Sequence, residues 1–401
     1  MISPRRKWLV GGTILAAILI VVGVWFYNVY FVSTASALRF AEDFGFRRMT
    51  VAQLGDQGTY RFFFISNRQV ANPKAPVLDR FRNEREAQLK FGYFDTQIQP
   101  TLGLGMLINP TEWFQNEEIR IDAIETVNQE PFVEQLRTLV EESPHRGLLV
   151  IVHGFREAFP SALRKTAFLG HILDINSPVL VFDWPGDQGS SLRGYRRART
   201  VAEASGAQLA RALELMINDV QPDRLWLIAN SMGGQVVADA FSILYADESL
   251  ADVQTEFEDV VLTAPDVDHE EFNNQFKKEI ASLTTNLTVY VSANDRALLM
   301  SRIINRGRRI GESTLDTMNP EQFEEAARVF ELVDADSDLV TLVDVTPINR
   351  TRNFHNFSLE TPEFFDDLFL RITNEETPSS RGQYQVKTPD GRIYWVLTRG
   401  R

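Results

Sequence analysis

The chain has 401 residues, a formal charge of −13, 44% hydrophobic and 24% charged residues, and no cysteine. That length holds one large α/β domain with appendages or two small domains, and the negative charge argues against nucleic acid as a partner. Without cysteine there are no disulfides, no thiolate metal sites and no cysteine nucleophile.

In chain order, Arg5, Arg6 and Lys7 come first, followed by an uncharged run from Trp8 to Val32. A helix over that run, at about 1.5 Å per residue, exceeds the roughly 30 Å of a bilayer core. Trp25, Tyr27 and Tyr30 suit the far membrane interface, and the basic residues ahead of the run keep the N-terminus cytoplasmic. The expectation is a cytoplasmic N-terminus over residues 1–7, a transmembrane anchor over 8–32 and a linker over 33–59. The remainder then lies in the periplasm or outside the cell. A cleaved signal peptide is the rival, because Ala35-Ser36-Ala37 resembles a cleavage site. The apolar run is longer than a typical signal core, which favours the anchor.

A domain over 60–373 follows. "YRFFFISNR" (Tyr60 to Arg68), "LKFGYFDTQI" and "EIRIDAIETV" read as its first strands, with a Gly/Pro-bearing loop before the third. A helix around Pro131 to Glu141 leads into "GLLVIVHGF", and "PVLVFDWPG" is the next apolar strand. Val201, Ser205, Leu209, Leu213, Met216 and Val220 form one stripe at helical spacing. Then "RLWLIAN", "DVVLTAPD", "LTVYVSAND" and "LVTLVDVTP" are short continuous apolar runs. Strands of this kind are buried on both faces, as in a parallel sheet between helices, so the fold class is α/β. A polar tail over 374–401 contains "YQVKTPDGRIYWVL", whose Pro-Asp-Gly turn predicts a small hairpin.

Ligands of such sheets bind outside the carboxyl ends of the strands. The residues falling there are His153-Gly154-Phe155, Trp184-Pro185-Gly186, Ser231, then Asp266 and Asp268, then Asp295, and finally a loop holding His355. Ser231 stands between a strand and a helix in "ANSMGG", with small Ala229 and Gly233 two positions to either side. This is a nucleophile-elbow pattern in the form A-x-S-x-G; the plain alternative is a serine that caps the helix. Among five histidines, only His355 follows the last strand and lies beyond both the serine and the candidate acids, as a base in Ser, Asp, His order should. Asp295, one strand earlier, is the preferred acid and Asp266 the alternative; Asp268 with Glu271 has the form of a capping box. The backbone N–H groups of Met232 and Phe155 are the expected oxyanion hole. The 100–114 loop and the Trp184 region are expected to wall an open pocket.

"DADSD" at 334–338 imitates a calcium loop but has Leu339 where glycine is needed and Val345 where glutamate is needed. No metal site or cofactor is expected. "RGYRRART" (Arg193 to Thr200) reads as a solvated helix start, with attraction of an anionic substrate as the sharper reading.

Taken together, "VIVHGF", "VFDWPG", "ANSMGGQVV", "VVLTAPDVDHEEF" and "LTVYVSANDRALLMS" resemble an uncharacterised family of bacterial α/β-hydrolases. Its members are similar to esterases and lipases and often carry a signal or anchor. The likeness spans roughly Tyr60 to Leu370 and implies an α/β-hydrolase fold, with Ser231 as nucleophile, Asp295 as acid and His355 as base. Asn230 departs from the histidine that more usually precedes the serine. The implied activity is cleavage of an ester or related acyl bond in a small-molecule or lipid-like substrate. The rival class is a non-catalytic scaffold in the cell envelope.

Overall fold

The computed structural model describes residues 13, 16–23, 49–55, 58–98, 119–247, 256–292, 340–349, 357–373, 382–387 and 393–398. Strands are β1 (Thr59–Val70), β2 (Phe81–Ile98), β3 (Ile119–Val127), β4 (Gly147–Val152), β5 (Val179–Asp183), β6 (Arg224–Asn230), β7 (Phe257–Thr263), β8 (Thr284–Val291), β9 (Thr341–Asp344), β10 (Gln383–Lys387) and β11 (Ile393–Leu397). The longer helices are α1 (Gln129–Glu142), α2 (Phe159–Leu173), α3 (Leu192–Leu215), α4 (Gly233–Tyr245), α5 (Lys277–Leu283) and α6 (Pro362–Thr373).

Strand periodicity sets up two cores. In β1, Phe63 and Ile65 enter one apolar cluster while Phe62 and Phe64 enter the other, because successive side chains of a strand point to opposite faces. Helices α1, α3, α4 and α5 cover the first cluster, and α2 and α6 the second. Among the described residues the strands form one sheet in the order β10-β11-β9-β8-β7-β6-β4-β5-β1-β2-β3. Neighbours from β1 through to β11 run parallel. The flanking β2, β3 and β10 are antiparallel additions. Such a mostly parallel sheet, helix-covered on both faces, is a doubly wound α/β architecture, as the resemblance implied.

The chain leaves β4 for β5 on one side and then crosses to β6 on the other. The strand order therefore reverses between β4 and β6, the place beyond whose carboxyl ends such sheets bind their ligands. Gly154 follows one of these strands and Ser231 the other.

The elements differ from the sequence reading mainly at their ends. β2 begins at Phe81 rather than Leu89, because pairing with β1 resumes past a register shift at Arg68↔Arg85 and Val70↔Phe81. The stripe ending at Val220 is α3 followed by a wider π-helical turn, Met216–Val220. The terminal hairpin is present, and β11 also pairs in parallel with β9, so it continues the main sheet. Among the described residues no helix is long and apolar enough to cross a membrane. The expected span over 8–32 lies mostly outside them. Its described part, residues 13 and 16–23, is helical and exposes Ile18, Leu19, Ile20, Val21 and Val22.

Candidate active site

At the end of β6, Ser231 takes a φ of +53°, a left-handed conformation that costs a non-glycine residue on the order of 1–3 kcal/mol. The backbone around it holds the strain in place. Ser231 N–H donates to Thr263 O at 2.9 Å, and its carbonyl accepts from Gly234 N at 2.9 Å and Asp266 N at 3.0 Å. Helix α4 starts with Met232 as its N-cap and has no side-chain cap. Ser231 is thus not the capping serine of the plain alternative, and among the described residues its hydroxyl has no hydrogen-bond partner. The N-terminal end of α4 lies beside it, where the helix dipole favours negative charge.

The small residues around the serine have identifiable reasons. A Cβ on Gly233 would sit 2.6 Å from His153 O and 2.7 Å from Val152 O, so the elbow closes only against glycine. A Cβ on Gly154 would lie 3.0 Å from Ser231 Cβ and 3.1 Å from Asn230 O. The turn after β4 is thereby pressed against the turn after β6. Asn230 lies beside this contact and donates to Thr263 Oγ1 and Ser358 Oγ, both at 3.0 Å. It ties the elbow to a helical turn (Phe357–Glu360) that starts two positions after His355 in the chain.

Phe155 and Met232 both fall beside the serine in the chain's path, and among the described residues neither N–H makes a hydrogen bond. Phe155 packs edge-on against Tyr195, with ring centroids 5.6 Å apart. Tyr195 in turn donates its hydroxyl to Asp266 Oδ2 at 2.6 Å. Asp266 is therefore buried beside the elbow with its carboxylate engaged by a tyrosine. Asp268 behaves as a cap, accepting from Glu270 N at 3.0 Å and Glu271 N at 3.4 Å. Asp295 and His355 lie outside the described residues, as do the 100–114 loop and the 334–338 acidic run. Of the other histidines, His145 lies before β4 against Trp226, and His171 lies in α2 against Tyr60.

Trp184 corrects one expectation. Its indole is fully buried, stacked parallel to His153 with centroids 5.5 Å apart, and donates to His153 O at 2.8 Å. It therefore braces the β4 turn from behind and does not wall an open pocket.

A buried charge network escaped the sequence reading. Ser66, Arg68, Asp183 and His153 end three adjacent strands on one face of the sheet, and all are buried. Arg68 Nε donates to both Asp183 oxygens at 2.8 and 3.0 Å, Nη1 to Asn83 Oδ1 at 2.6 Å, and Nη2 to the carbonyls of Glu157 and Trp184 at 2.7 Å each. Ser66 Oγ adds a bond to Asp183 at 2.6 Å. His153 Nδ1 donates to Gly154 O at 2.9 Å, while Nε2 lies 3.2 Å from both Asp183 Oδ1 and Trp184 N. Burial pushes the Asp183 carboxyl up, but the Arg68 charge and the His153 bond outweigh it and hold the group below the usual carboxylate range. The signal available in the sequence is an arginine continuing the alternation Phe62, Phe64, Ser66, a charge where the strand pattern demands a buried side chain.

The sequence profile of a family described as alpha/beta hydrolases of unknown function (DUF900) matches residues 128–364. The chain belongs to this family. The match runs from the N-cap of α1 into α6 and includes Ser231. Among curated proteins none matches the chain. Solved structures that align with it include a zinc-bound cold-adapted esterase from an Arctic intertidal metagenomic library. That pair shares 8% identity over 80% of this chain and 97% of the esterase, with a TM-score of 0.37. Phospholipase PlaB from Legionella pneumophila aligns at 12% identity over 63% of this chain and 67% of its own, with a TM-score of 0.28. The esterase Est2 from Thermogutta terrifontis aligns at 12% identity over 58% and 85%, with a TM-score of 0.29. These are distant likenesses; the strand order and the family match carry the assignment.

Proposed function

We propose that this α/β-hydrolase is a membrane-anchored serine hydrolase that cleaves an ester or related acyl bond of a small-molecule or lipid-like substrate. The observation that carries the reading is Ser231 itself. It is a strained, uncapped serine at the point where the strand order reverses, at the head of a helix and pressed by a glycine turn. Ser231 Oγ attacks the acyl carbonyl while His355 takes its proton, and Asp295 orients and balances the imidazolium. The N–H groups of Phe155 and Met232 receive the oxyanion. His355 then protonates the leaving group, and water releases the acyl chain by the same path in reverse. Asp266 is the alternative acid, but its bond from Tyr195 favours Asp295 for the role. The anchor is the uncharged 8–32 run, whose exposed apolar residues 18–22 suit lipid; the catalytic domain then lies in the periplasm or outside the cell.

The test is fluorophosphonate labelling of the full chain in detergent, with Ser231→Ala and His355→Ala alongside. Labelling of wild type that disappears in Ser231→Ala and slows at least about 10²-fold in His355→Ala is expected. A folded wild type that never labels would turn the reading to a non-catalytic scaffold.

A further inference from the structure

An oxyanion hole made of backbone N–H groups works only if the peptides carrying them cannot move, because stabilisation depends on donors already aimed at the developing charge. The β4 turn has little of its own to hold it: a glycine, then Phe155, then Arg156 at a φ of +65°. A left-handed arginine persists only where its surroundings over-determine it. Those surroundings converge on one side chain. Arg68 reaches from the end of β1 with no exposed surface and grips the Glu157 carbonyl on the far side of Arg156. The same nitrogen grips the Trp184 carbonyl in the β5 turn. The two turns are also joined directly, by Arg156 N donating to Gly186 O at 2.9 Å and by the Trp184 indole donating to His153 O at 2.8 Å. On the front of the turn, Gly154 presses on Ser231.

We propose that Arg68, neutralised by Asp183, is a positioning residue for the oxyanion hole. It pins the carbonyls of Glu157 and Trp184 and so fixes the Phe155 N–H against the reacting carbonyl. The choice of residue follows from the geometry. The acceptors come from three separate segments, which the five-donor guanidinium fork can serve at once and a lysine ammonium cannot. A buried ion pair is often replaceable by apolar side chains without loss of stability, so stability alone does not call for an arginine here. What no apolar pair supplies is donors for two loop carbonyls. The inference rests on the serine-hydrolase reading, because without an oxyanion there is nothing for the clamp to serve.

The experiment uses the full chain, p-nitrophenyl butyrate as the probe ester, and active sites counted by fluorophosphonate titration to completion. Arg68→Lys keeps a charge beside Asp183. It is expected to lose about 10²-fold in kcat per titrated serine with KM changed less than about threefold, as for a lost oxyanion donor. Affinity for a trifluoromethyl ketone, which mimics the tetrahedral adduct, should fall by the same factor. Asn83→Ala frees one side of the guanidinium and leaves the ion pair intact, so it carries the test if Arg68→Lys does not fold; a smaller loss in the same direction is expected. Amide exchange at Arg156, which donates to Gly186 O, should quicken in both variants, while the amide of Ser231, which donates to Thr263 O, stays protected. Variants with wild-type kcat per site, whatever their melting temperature, would overturn the proposal alone. A wild type without Ser231-dependent turnover would overturn the hydrolase reading and the clamp's role together.

Discussion

Among the described residues two arginines are buried, and they differ in what they hold. Arg68 donates to loop carbonyls as well as to a carboxylate, and its two carbonyl acceptors, Glu157 and Trp184, lie in the turns that follow β4 and β5. Arg371, in α6, donates to Tyr290 Oη at 3.2 Å and Thr288 Oγ1 at 3.1 Å; Tyr290 in turn bonds Asp367, which accepts from Gln383 Nε2 at 2.7 Å. That second network joins side chain to side chain and fastens α6 and the terminal hairpin to β8. Burial of an arginine is thus not in itself a sign of function. Position relative to the strand ends, and whether the acceptors are loop backbone, separate the two cases.

The sharpest way to break this contrast is to remove both. Arg68→Met and Arg371→Met should each lose about 3–5 kcal/mol in urea unfolding, since each leaves buried partners uncompensated. Turnover per folded molecule should collapse only in the first. Equal losses of turnover would erase the distinction. A second, smaller effect comes from pH. Asp183 has its carboxyl held down, so its contribution is complete above the ordinary carboxylate range and is lost as pH falls through the folded-state value. In Arg68→Met the same buried carboxyl has lost its counter-charge and prefers its proton, so that variant loses stability as pH rises. The gap between wild type and Arg68→Met should therefore be smaller at pH 4.5 than at pH 7.5. A gap independent of pH would mean that Asp183 finds another partner.

How much of this could be read from the sequence depends on which interactions are local. The parallel sheet was legible because continuous apolar runs separated by helical stripes admit few other folds, and the tight turn at Ser231 because such a turn needs small residues at fixed offsets. Asp268 as a cap was legible for the same reason, its partners being two and three residues away. The Arg68–Asp183 pair spans 115 positions, and no local pattern announces it. Trp184 was misread because an aromatic after a strand suggests a pocket wall, whereas the stacked His153 ring and the carbonyl behind it claim both its face and its N–H.

The smallest test concerns an acid with no guanidinium fork. Asp239, in α4, has its carboxyl pushed up to about 6 by burial and by Glu203 and Glu271, against a bond from Gln235. Its charged form therefore opposes folding above that pH. Asp239→Asn should gain up to about 1 kcal/mol at pH 8, after allowance for its partial exposure, and nothing near pH 4. A loss at pH 8 would show that Asp239 is paired as effectively as Asp183.

The three glycines of these turns carry one more consequence. Gly154 abuts Ser231, Gly186 would place a Cβ 2.8 Å from Gly154 O, and Gly233 closes on His153 O. Each turn is the steric wall of the next, so a mutation in one changes what the other two tolerate. Laboratory evolution of this protein should find these positions epistatic and nearly frozen. New substrate range would have to come from side chains outside the interlock.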